Sequence, residues 1–123
     1  MVVLAEVKKA VIVFNYAEKI KTSLIVASSL LDFLCGLKDE AEVAGAEKLL
    51  AAYFNALILE VHIAVNSSKI EGFRDIALKL EEVVAHLEKH SYANIYRLIS
   101  EAISAATTCG NWAAQLLSKE NLI

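Results

Sequence analysis

Glu82, His86 and His90 stand four residues apart, the spacing that brings successive side chains to one face of a helix. Two imidazoles so placed share a divalent ion, and a carboxylate supplies a third ligand. The triplet is therefore the candidate metal site of the chain, and the chemistry it would serve is that of a metal-binding or ribonuclease-like helical enzyme. Its place on the helix argues the other way. On a helical wheel Glu82 and His86 point away from the apolar stripe of Ile76, Leu80, Val83 and Leu87. His90 lies at the flank near the helix end, where the helix dipole accounts for a histidine without any metal. Solvated surface histidines are the reading that this placement favours.

Other chemistry finds less support. Carboxylate di-metal bundles need Glu-x-x-His motifs facing a common interior, and the chain has none. His62 follows Glu60 by two residues, which sends the two to different faces. Glu60 sits in an otherwise apolar helix and needs a partner, which a lysine of the basic first helix would supply. There is no Gly-x-Ser-x-Gly elbow and no phosphate loop, and four glycines are too scattered to cradle a nucleotide. A helical ribonuclease of the HEPN type would carry Arg and then His a few residues on. Here Arg74 and His86 are twelve apart, and no His follows Arg97. No catalytic residue and no cofactor is expected.

Composition narrows the class further. Twelve Lys and Arg against fifteen Asp and Glu give a net charge of -3, unlike the concentrated positive face of a dedicated nucleic-acid binder. Tyr92, Tyr96 and Arg97 are the candidate RNA contacts if the chain meets nucleic acid through a complex, although packing is the favoured reading of the two tyrosines. Charge is unevenly spread: five lysines meet three acids from Val2 to Lys38, and five acids meet Lys48 alone from Asp39 to Asn66. Cys35 and Cys109 cannot build a disulfide framework and lie among aliphatic or small residues, as packed thiols in a reducing compartment do. Glu6, Lys8 and Lys9 arrive too early for a signal-peptide core. The longest uncharged stretch, Ala102 to Ser118, falls short of the ~20 apolar residues of a bilayer span. A cytoplasmic protein with no membrane association is expected.

The elements that must position these residues are helices. No proline interrupts the 123 residues, 57% of them are hydrophobic, and apolar residues recur at three- and four-residue steps. A single helical domain over 1–123 is predicted, folded as an up-down bundle of four main helices plus a short C-terminal helix. The first helix runs from about Val2 to Cys35 and ends where Gly36 takes the left-handed conformation. It either breaks near Asn15 or projects as an arm. Asp39 and Glu42 form an acidic capping box for the second helix, which reaches about Val65. Its uncharged run from Leu49 to Leu59 predicts a central position in the bundle. Ser68 and Glu71 repeat the box for the third helix. Ser91 caps the fourth, from Tyr92 to about Cys109, and Gly110-Asn111 turns the chain into the short last helix.

Tyr92 to Lys119 resembles the closing segment of the small all-helical subunit of type III-B CRISPR effector complexes. In that family a tyrosine is followed by Glu-Ala-aliphatic and then by a Trp-bearing amphipathic helix. Here Tyr92, Glu101-Ala102-Ile103 and Trp112-Ala113-Ala114-Gln115-Leu116-Leu117 occupy comparable places. Asn55-Ala56-Leu57 with Val61 and Ile63 is similar to the family's Asn-Gly-Leu helix. The likeness covers about half of the chain. The family's Trp falls several residues earlier than Trp112, and its following basic residues and its Pro before the Asn-Gly-Leu helix are missing here. The resemblance implies a non-catalytic subunit packed along the backbone of a ribonucleoprotein filament, near guide and target.

The chain carries more apolar side chain than a small monomer needs, and a partner is expected to cover it. A non-catalytic helical protein that self-associates, or docks as a protein subunit of a larger complex, is the function that follows. Val13, Leu24, Leu31 and Leu34 of the first helix are the predicted contact surface, because with Val11, Val26 and Leu30 they occupy more than one face.

Overall fold

The computed structural model describes residues 4–123 and places four α-helices there: α1 (Leu4–Cys35), α2 (Glu40–Ser68), α3 (Glu71–Glu88) and α4 (Tyr92–Lys119). The all-helical class is as predicted, and no strand occurs among the described residues. The predicted start of the first helix at Val2 lies outside them.

Buried side chains recur at alternating three- and four-residue steps on every helix. On α1 the series is Ala10, Val13, Ala17, Ile20, Leu24, Ala27, Leu31, Leu34, and on α2 it is Leu50, Phe54, Leu57, Val61, Ala64. Phe73, Ile76, Leu80, Val83 and Leu87 continue the pattern on α3, and Ala102, Ala106, Cys109 and Ala113 on α4. An average repeat of 3.5 residues makes a seam that keeps facing its neighbours along the whole helix, as in coiled-coil packing. α1 packs on α2 and α4, and α3 packs on the same two helices, so the contacts close into a ring without diagonal pairs.

The seam corrects several expectations. Val13, Leu24 and Leu31 are 0% exposed and Leu34 2%, so these four are core of their own chain and not a contact surface. α1 is continuous through Asn15. Its buried residues run from Ala10 to Leu34, so neighbouring helices cover it over that length and it is not left as an arm. The short last helix is absent as a separate element, because α4 runs through Gly110 and Asn111 without a break. Gly110 is buried there, its Cα facing the Ala17 side chain of α1, and no glycine of the described chain has positive φ.

Helix ends follow local hydrogen bonding. Asp39 caps α2 as predicted, its carboxylate accepting the Glu42 N–H at 3.0 Å. Gly36 does not enter the left-handed region, and the chain leaves α1 through tight bonds from the Gly36 and Leu37 N–H groups to the Phe33 and Leu34 carbonyls. Ser68 is the last residue of α2, where its hydroxyl donates to the Ala64 carbonyl at 2.7 Å, and so it opens no capping box. Lys69, with φ 61°, takes the left-handed turn instead. Ser91 precedes α4 without a capping bond from its side chain.

α2 is not central. It packs on α1 and α3 only, and one side of it faces away from the core. Leu49 is 75% exposed, Leu59 68% and Ile63 53%. An uncharged run therefore marks two apolar faces on this helix, one buried within the chain and one left bare.

Candidate functional site

The bare face of α2 continues onto α1. Leu49, Ala52, Ala56, Leu59 and Ile63 repeat at three- and four-residue steps on the exposed side of α2, about 140° round the helix from its buried seam. Beside them on α1 stand Val26, Leu30 and Phe33, the last 70% exposed. Between the two helices runs a groove of about 590 Å³ lined by Leu30, Phe33, Leu34, Ala46, Leu49, Leu50, Ala52 and Tyr53. No charged side chain lies between Lys21 and Asp32 on α1, nor between Lys48 and Glu60 on α2.

Two polar contacts fix the walls. The Tyr53 hydroxyl donates to the Ser23 carbonyl at 2.7 Å, a main-chain acceptor that its own helix leaves free for a second bond. Burial pushes the Tyr53 phenol above its ordinary value, the Ser23 side chain opposes this, and the nearby Glu60 charge adds to it. Below Tyr53, Lys19 Nζ stands 3.1 Å from Glu60 Oε1, the lysine partner expected for Glu60. With the lysine two-thirds exposed, the pair contributes only about 0–1 kcal/mol. It marks the end of the uncharged face more than it holds the helices together.

The metal candidates are not brought together. α3 ends at Glu88, so His90 lies beyond the helix, and the four-residue spacing no longer sets its direction. With φ 58° it turns back, and its Nδ1 lies 2.6 Å from Glu47 on α2. Glu82 is exposed and His86 half-buried on α3. No group of three His, Cys, Asp or Glu side chains among the described residues is arranged to hold a metal.

The candidate RNA contacts are engaged within the chain. Tyr92 donates its hydroxyl to the Glu47 carboxylate. Burial, and then the bond and charge of Glu47, push its phenol up to about 12. Tyr96 donates to Asp32, and that bond, followed by burial and by Cys35, raises its phenol further. These contacts tie the start of α4 to the end of α1 and to α2. Arg97 pairs with Glu101 at 2.9 Å, and Lys79 of α3 reaches the same carboxylate at 3.3 Å. The Arg97 and Lys79 hydrogen bonds hold the Glu101 carboxyl below its usual range.

Sequence reasoning missed Phe33, Leu49, Leu59 and Ile63 as surface. The signal was present: Leu49, Ala52, Ala56 and Leu59 form a second 3.5-residue repeat inside the uncharged run, and Ile63 continues it beyond Glu60. A run apolar on all sides is consistent with a buried helix or with a helix having two separate partners, and neighbouring elements decide between them. No family model matches the chain, and neither does any curated protein or solved structure.

Proposed function

We propose that this chain is a non-catalytic, cytoplasmic assembly protein, an up-down four-helix bundle that docks through the apolar α1/α2 face. The up-down course is supported by the order of contacts between the first two helices. Lys19 meets Glu60, Ser23 meets Tyr53, and Leu30 and Leu34 meet Leu49 and Leu50 in the groove. Residue numbers fall on α2 as they rise on α1. Short connections between successive helices favour the same course.

The observation that carries docking is the exposure of Leu49, Phe33 and Leu59, each more than two-thirds open to solvent, the first two lining the groove and Leu59 continuing the same face of α2. Single exposed leucines need no explanation, but a contiguous apolar patch marks an interaction site. Docking as a subunit of a ribonucleoprotein, as the likeness of Tyr92–Lys119 implies, is one form of this function, and nucleic acid would then be met through the complex.

α2 also favours a second reading, because it is long and apolar enough to cross a membrane. Against it, Phe54 and Val61 are fully buried against α1 and α3. Spanning a bilayer would strip α2 from both neighbours and expose their seams.

The test is the native particle mass of the tagged chain recovered from its own cells, beside that of a Leu49→Glu/Leu59→Glu variant. A particle heavier than the 13.4 kDa chain that is lost in the variant is the expected result. A monomer in both, or a heavy particle that the variant leaves unchanged, would overturn the docking reading.

A further inference from the structure

We infer that the occupant of the α1/α2 face is a second copy of this chain, its α2 lying antiparallel on the first across a two-fold axis near residue 54. The inference rests on the docking reading and adds the partner and the register.

The exposed repeat on α2 is self-complementary when reversed. In an antiparallel helix pair, side chains meet in layers whose two residue numbers have a constant sum. With the axis near residue 54, Leu49 meets the partner's Leu59, and Ala52 meets the partner's Ala56. Gly45, against which no atom lies within 4 Å of where a Cβ would stand, meets the partner's Ile63. Each layer recurs on the other side of the axis. Large side chains thus face a large one at the Leu layers and an empty site at Gly45, while the two central layers hold only methyl groups, which lets the backbones approach closely. A shift by one heptad in one direction sets Leu59 and Ile63 against the partner's Ala56 and Ala52, and in the other it carries both beyond the apolar run, level with the partner's Glu42 and the partner's Lys38.

The groove fits the same arrangement. It lies beside Ala46, Leu49 and Ala52, where the partner's Leu59 and Ile63 arrive, and Phe33 and Leu30 of α1 form its far wall. The repeat from Gly45 to Ile63 is about 27 Å long, and two helices abreast are about 20 Å wide. The patch is then on the order of 500 Å² per chain, which brings the pair close to the ~1,200 Å² of total area at which specific interfaces begin. Charges stay at the rim. Lys48 comes level with the partner's His62, which stands 3.9 Å from Glu81 within its own chain, so a carboxylate is within reach of each Lys48. The isologous geometry is that of the commonest closed oligomers.

The test is sedimentation of the purified full chain, its Ala56→Glu variant, and a Cys35→Ser/Asn55→Cys variant treated with a short bismaleimide. Asn55 is exposed and nearly on the axis, so each Asn55→Cys thiol should meet its symmetry mate. A Ser104→Cys thiol, on exposed α4, serves as control. The expected results are a mass twice that of the 13.4 kDa chain, covalent dimer at position 55 but not at 104, and pairing weakened at least about 100-fold by Ala56→Glu, with helix content unchanged. A dimer that survives Ala56→Glu, or crosslinks at 104 in place of 55, would overturn the pairing. A purified monomer would overturn it as well. If the native particle is nevertheless heavy, the docking reading stands with a different partner, and if it is monomeric both fail. Binding of the monomer to vesicles of neutral phospholipid, abolished by Ala56→Glu, would replace the second copy with a lipid surface.

Discussion

Gly72 on α3 lies so close to Cys109 on α4 that a methyl group at its Cα would stand 2.5 Å from the Cys109 sulfur. The missing side chain on one helix is what admits the thiol of the other. Helix propensity alone favours alanine over glycine by about 1 kcal/mol, and overpacking a tight contact costs about 1–3 kcal/mol. We expect Gly72→Ala to lower the urea midpoint and Gly72→Ala/Cys109→Ala to recover most of the loss. Strictly additive losses in this double-mutant cycle would show that the sulfur is not the obstacle.

The two leucine classes of this molecule should respond differently to truncation. Leu31 has no exposed surface and Leu49 is three-quarters exposed. In the Ala56→Glu background, where no pairing is expected, Leu31→Ala should cost about 2–5 kcal/mol and Leu49→Ala no more than about 0.5 kcal/mol. Equilibrium urea unfolding gives both numbers.

Alkali should weaken the tie between α4 and its neighbours. Both Tyr92 and Tyr96 are harder to ionise folded than unfolded, so the unfolded chain releases these protons first, from about pH 10. The stability they contribute is whole below that pH and is lost as pH rises through the folded value, about 12 for Tyr92. The difference in urea midpoint between the native chain and Tyr92→Phe should shrink between about pH 9 and about pH 11. A constant difference would show that the Glu47 contact adds nothing to folding.

Thiol chemistry should distinguish the two cysteines. Cys35 is exposed and Cys109 buried, and burial, reinforced by the Asp75 charge, pushes the Cys109 thiol up. Since the thiolate is the reactive form, a disulfide reagent should modify one thiol quickly in the folded protein and the second only in denaturant. Cys35→Ser should abolish the fast phase.

The helices were legible in the residues because Leu, Ala, Val and Ile recur with a helical period and no proline intervenes. Asp39 with Glu42 marked a true helix start, since both groups of that cap lie within four residues of each other. Ser68 with Glu71 has the same spacing and misled, because the Ser68 hydroxyl donates to the Ala64 carbonyl behind it and accepts the Ile70 N–H ahead, not that of Glu71. Gly110 reads as a stop in sequence. In the fold it is a point of close approach between α1 and α4, and only the position of Ala17 reveals that. The largest misreading concerned which apolar residues face outward. Leu31 and Leu49 have the same chemistry, and their exposure depends on which seam the other helices supply, a property no single helix contains.

The ring of contacts also orders events in time. α1 is covered by α2 and by α4, so the helix made early in synthesis is closed by the one made last. Until Tyr92–Lys119 has left the ribosome, α1 lacks the larger part of its eventual surroundings, and the emerging chain is sticky along much of its length. Such a protein gains its native state in one late step, and a ribosome stalled between α3 and α4 would release a product built for aggregation.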